Sequence, residues 1–115
     1  MDDIDHNEEE MERVLKEAKD AVEKRDYLHS AECFDKLSYL SFNMLLGYSK
    51  GISELEEMLK ELENIKSSQE GKEELMREIR QEILSERENY AKYSAKRKRI
   101  QELQQKYKQM LPSTN

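Results

Sequence analysis

Tryptophan is absent from this chain, proline and cysteine occur once each, and glycine occurs three times. Each scarcity excludes something. A single cysteine, Cys33, rules out an internal disulfide framework and fits a reducing compartment, so a cytoplasmic location is expected. The one proline, Pro112, lies beyond every apolar stripe and marks where the last helix must end. Few β-branched residues and no strand-like alternation argue against a sheet. No apolar run approaches the roughly 18 residues that span a bilayer, and the acidic first residues do not read as a secretory signal.

What is present is charge laid out on helices. Charged residues make up 40% of the chain and hydrophobic ones 36%, with a formal net charge of −6. The mix of Glu, Lys, Leu, Arg and Gln suits long helices. The negative balance argues against a general affinity for nucleic acid or anionic membrane.

One stretch organises the rest. Phe34, Leu37, Ser41, Met44, Tyr48, Gly51, Leu55, Met58, Leu62 and Ile65 follow one another at alternating spacings of three and four, and only Ser41 and Gly51 are not apolar. That heptad pattern predicts a long helix with one seam turned toward a partner. A second seam, Met76, Ile79, Ile83, Glu86, Tyr90, Tyr93, Arg97, Ile100, Gln104, Tyr107 and Leu111, keeps the same phase. An earlier, shorter stripe comprises Met11, Val14, Leu15, Ala18, Ala21 and Val22.

Helices are therefore expected at about 8–25, 27–66 and 70–111, within a single helical domain over 8–111. Residues 1–7 read as a disordered acidic N-terminus and 112–115 as a tail. Asp26 is the expected N-cap of the second helix, and Ser67 with Glu70 forms a capping box before the third. The fold class is all-α: a long antiparallel helical hairpin, a coiled coil, with the N-terminal helix making a three-helix bundle at one end. Turned about Ser68, the hairpin sets Tyr48 against Tyr90, Met58 against Ile79, and Phe34 against Leu103. The first helix folds back to place Ala18 by Phe34, Leu15 by Leu37 and Met11 by Ser41. Tyr39, Phe42 and Leu46 share the opposite face of the second helix, which predicts burial on two sides. Gly47 and Gly51 read as a weak spot or kink in it.

Residues that could carry chemistry are few. Lys92, Lys96, Arg97, Lys98 and Arg99 form a basic block interleaved with tyrosines, the candidate anion contacts of a nucleic-acid-associated protein. Glu8, Glu9, Glu10 and Glu12 are expected beside that block and would neutralise it within the molecule. His6 and His29 lack His-x-x-x-His or Glu-x-x-His spacing, so no metal or other cofactor is expected. Arg25 and His29 resemble the paired residues of helical ribonucleases of the HEPN group, but stand closer together than that chemistry uses. Cys33 reads as a packing residue. No phosphate loop, nucleophile elbow or zinc spacing is found, so no enzyme is expected.

Ala18, Ala21, Asp26-Tyr27, Ala31 and Phe34, within about residues 18–46, resemble a helical hairpin of the tetratricopeptide or MIT (microtubule-interacting and trafficking) kind. Glu88-Asn89-Tyr90, Ala95 and Leu103 resemble the third MIT helix. Arg25 stands where that hairpin carries glycine, and no second repeat follows. The resemblance implies a helical docking module. The chain is thus expected to be a non-enzymatic interaction protein, an adaptor or complex subunit, with a nucleic-acid-associated protein as the alternative. The expected contact surface is Ile52, Leu55, Leu59, Leu62, Ile79, Ile83 and Leu84 on the projecting hairpin, and the expected partner is a second copy of the chain, giving a homodimer.

Overall fold

A computed structural model describes residues 3–65 and 70–112. Three helices account for the described fold: α1 (Asp3–Glu23), α2 (Tyr27–Asn64) and α3 (Lys72–Gln109). The molecule is a rod of about 70 × 25 × 17 Å. Its length is set by α2 and α3, each 38 residues long, which at 1.5 Å per residue span about 57 Å. α1 packs antiparallel on the first half of α2, and α3 returns along its whole length. The outcome is the expected all-α hairpin with a three-helix end.

The turn between α1 and α2 is tight for local reasons. Asp26 caps α2, its carboxylate accepting the His29 amide hydrogen at 3.1 Å. Arg25 takes the left-handed conformation, φ 59°, which glycine adopts without a Cβ penalty. α3 opens differently, on Gly71 at φ 91° with no side-chain cap. The expected capping box rests on Ser67, outside the described residues, and Glu70 stands in the turn before Gly71.

α1 begins earlier than its sequence suggested. Residues 3–7, expected to form part of a disordered lead-in, are its first turns. Ile4 is the reason. It lies seven residues before Met11 on the same stripe, and it packs over Gly47 of α2. A Cβ at Gly47 would meet Ile4 Cγ1 at 3.1 Å. Gly47 is therefore where α1 approaches α2 closely, and α2 runs unbroken through both of its glycines.

The core lies where the three helices meet. Val14 and Ala18 of α1, Leu37 and Met44 of α2, and Tyr93 and Tyr107 of α3 belong to one buried cluster. Leu37 and Met44 are fully enclosed, and Leu45 packs against the cluster partly buried. Ser30 and Ser41 are also buried, and each hydroxyl donates to a carbonyl of its own helix, those of Asp26 and Ser38. Buried polar groups satisfied in this way do not oppose packing.

The hairpin register differs from expectation by about one helical turn. Tyr48 stacks on Tyr93 rather than Tyr90, centroids 5.7 Å apart, and Phe34 on Tyr107 rather than Leu103, at 5.5 Å. The observed register gives both Phe34 and Tyr48 a tyrosine to stack on, whereas the expected one gave an aromatic partner to Tyr48 alone. Farther along, Met58 and Ile65 leave the expected seam and are 49% and 43% exposed. A straight helix drifts against a strict heptad, so the contact line rotates off these residues.

Leu37→Ala is expected to destabilise the chain by about 2–5 kcal/mol in urea unfolding, because the void it leaves is closed by three helices. A loss under about 0.5 kcal/mol would contradict that placement. Gly51→Ala is expected to stabilise by about 0.5–1 kcal/mol. A Cβ there meets Glu86 Oε2 at an ordinary 3.7 Å, so helix propensity is gained without a clash.

Candidate interaction surfaces

α1 and α3 flank α2 without closing on each other. Among the described residues, no α1 Cα lies within 8 Å of an α3 Cα. A groove of about 260 Å³ remains between them. Phe34 and Leu37 form its floor, with Leu15 on the α1 side and Leu103 on the α3 side. Glu8 and Glu12 stand on one rim, and Lys96 and Arg99 on the other. Small-molecule sites usually enclose about 300–1,000 Å³, so this groove suits a side chain or two of a partner rather than a cofactor.

Tyr93 sits at one end of the groove. Burial, and next the facing Glu8 carboxylate, push its phenol up to about 12. The Lys96 ammonium lies 4.8 Å from its ring centroid and that of Lys92 5.7 Å. These contacts redefine the basic block. The expected neutralisation by Glu8–Glu12 does not take place through ion pairs: among the described residues none crosses the groove. Glu10 turns instead to Arg13 and Lys36, which hold its carboxyl down to about 2. Arg99 pairs with Glu102 within α3. Arg97 is not an open anion contact either. It is partly buried, its guanidinium 5.4 Å from the Phe42 ring, and its Nε has no hydrogen-bond partner. Lys92, Lys96 and Lys98 remain exposed.

The far side of α2 is open. Tyr39, Phe42 and Leu46, expected to be buried, are 65%, 45% and 53% exposed. Both neighbouring helices pack on the seam face, so among the described residues this face meets only their margins, the Arg97 guanidinium beside Phe42 and the start of α1 beside Leu46. Leu28, also exposed, lies eleven residues before Tyr39 on nearly the same line of the helix.

The expected hairpin surface is mostly consumed internally. Ile79 and Ile83 are buried in the α2–α3 seam, and Ile52, Leu55, Leu59 and Leu62 are partly buried. Leu84 alone of that set is fully open, at 59%. Arg87 with Glu56 at 2.8 Å and Arg80 with Glu63 at 3.6 Å bridge one flank of the hairpin.

Spacing rules for metal sites passed over one group of side chains. Glu17 of α1 meets His29 and Cys33, one turn apart on α2, with ligand atoms within 4.8 Å of one another. Burial, and then Glu17, push the Cys33 thiol up to about 11. The sequence signal was His-x-x-x-Cys, which places both residues on one helix face; the third residue comes from the fold.

No family model matches this chain, and neither a curated protein nor a solved structure is similar to it. Among the described residues, no helix is long and apolar enough to cross a membrane.

The raised Tyr93 phenol gives a signed expectation. A group whose folded pKa exceeds its unfolded value stabilises the fold at lower pH and loses that contribution as pH rises. For Tyr93 the loss falls between about 10, the unfolded value, and about 12. Urea midpoints measured across that window are expected to fall, and Tyr93→Phe is expected to flatten the fall. An unchanged slope in the variant would contradict the assignment.

Proposed function

We propose that this chain is a non-enzymatic protein–protein interaction module that pairs with a second copy of itself through the outer face of α2. The observation that carries the reading is the exposed line of Tyr39, Phe42 and Leu46, with Leu28 exposed farther along the same side. These large apolar side chains lie on one face of a helix whose other face is already buried. The exposed Glu32 and Asp35 separate Leu28 from the other three, so the apolar patch proper is Tyr39, Phe42 and Leu46. Exposed apolar surface of this kind usually marks a contact site, and aromatic residues dominate such contacts. From Tyr39 to Leu46 the patch runs about 10 Å along the helix, enough for two copies to cross at it and shield it. A two-fold pairing brings the same strip from each copy together. The hairpin surface around Leu84 is the weaker candidate, because its neighbours are already engaged.

Sedimentation equilibrium at about 100 μM, well above a low-micromolar dissociation constant, tests the pairing. A dimer is expected, and Tyr39→Glu combined with Leu46→Glu is expected to give a monomer of unchanged helicity. A monomeric wild type would contradict self-association and reserve the strip for a different protein.

The nucleic-acid reading is supported by Lys92, Lys96 and Lys98, which among the described residues have no carboxylate within 4.0 Å. Against it stand the net charge of −6 and the acidic rim across the groove. Salt-dependent RNA or DNA binding, lost on Lys92→Gln with Lys98→Gln, would shift the function to that reading.

A further inference from the structure

We propose that Glu17, His29 and Cys33 form a zinc-binding site that fastens α1 to α2 beside their connecting turn. The three ligand atoms make a nearly equilateral triangle. Cys33 Sγ lies 3.5 Å from Glu17 Oε2, Glu17 Oε2 lies 3.7 Å from His29 Nε2, and His29 Nε2 lies 3.8 Å from Cys33 Sγ. Tetrahedral zinc has Zn–S bonds of about 2.3 Å and Zn–N and Zn–O bonds of about 2.0–2.2 Å, which set ligand–ligand edges of about 3.4–3.6 Å. The side chains therefore need shift only by tenths of an ångström to close on an ion.

The placement is fixed from the backbone outward. His29 and Cys33 stand four residues apart on a rigid helix, so their side chains project from one face. The Asp26 cap holds the His29 amide, and the adjoining turn sets α1 against α2. Cys33 is 3% exposed, anchoring one corner in the core. The Glu17 and His29 side chains are 48% and 43% exposed, so the triangle opens toward water. Three protein ligands with an open fourth position match zinc sites that keep a water or an exchangeable ligand.

The donor set selects the ion. One sulfur, one imidazole nitrogen and one carboxylate oxygen suit a borderline cation such as Zn²⁺ and do not suit Mg²⁺ or Ca²⁺, which take oxygen ligands. Binding replaces the thiol proton by the metal, and that proton leaves to solvent. One thiolate and one carboxylate then balance the two positive charges, with neutral His29 as the third ligand. Arg13 lies 4.0 Å from the other Glu17 oxygen, and Glu32 and Lys36 also face the thiol.

Titration of the reduced full-length chain with Co²⁺, with Zn²⁺ as competitor, tests the site. One ion per chain and a thiolate-to-cobalt charge-transfer band are expected, with the band displaced by zinc. Glu17→Gln, His29→Gln and Cys33→Ser are each expected to weaken binding by roughly 100-fold or more, beyond the 10- to 100-fold typical of second-layer changes. Glu17 is exposed, so Glu17→Gln keeps the fold, which far-UV circular dichroism checks; this variant decides the matter if the Cys33 change disturbs the core. Absence of the band at about 1 mM cobalt overturns the proposal. So does a band that survives both Glu17→Gln and His29→Gln, because the thiol would then bind without its partners.

Discussion

The fold depends on burying one continuous line of α2, from Ser30 to Tyr48. A 38-residue helix has too little stability of its own to organise a chain, since most helical stability in proteins comes from packing an apolar face. Here that face is wide enough to take two neighbours at its first half and one at its second. α1, at 21 residues, reaches from the Arg25 turn to the Ile4–Gly47 contact, about halfway along α2. The three-helix end and the projecting hairpin are both consequences of that difference in length.

The same geometry explains where the surfaces fall. Because α1 and α3 both seek the buried line, they converge on one side of α2 and leave Tyr39, Phe42 and Leu46 largely exposed. Their convergence stops short of backbone contact, and the groove with its acidic and basic rims is the remaining space. At the opposite end of α1, the tight turn brings Glu17 against His29 and Cys33. The exposed strip and the proposed metal site thus follow from how α1 and α3 dock on a single helix.

Much of this was legible in the sequence. Apolar spacing placed three helices in order, and Leu37 and Met44, both on the long seam, are core. The Asp26 cap followed from residue chemistry. Other features depended on contacts between segments distant in sequence. Ile4 looked like part of an acidic lead-in because one apolar residue among carboxylates carries no periodicity by itself. The register slipped by about a turn, which adds a stack of Phe34 on Tyr107 while keeping Tyr48 against a tyrosine. Tyr39 and Phe42 were assigned to the interior because apolar character was taken to imply burial, a rule that holds in one direction only. Cys33 read as packing because its two partners stand on either side of a turn.

If the line from Ser30 to Tyr48 is what holds the molecule together, protection should be uneven along α2. Native-state hydrogen exchange resolves this residue by residue, since amides released only by global unfolding exchange far more slowly than those freed by local opening. The account predicts the slowest exchange at Ser30–Tyr48 and at the facing Tyr93–Tyr107 segment of α3. It predicts faster exchange over residues 52–64 and 72–90, where only two helices pack. Equal protection along the whole of α2, or slowest exchange in the projecting hairpin, would contradict it.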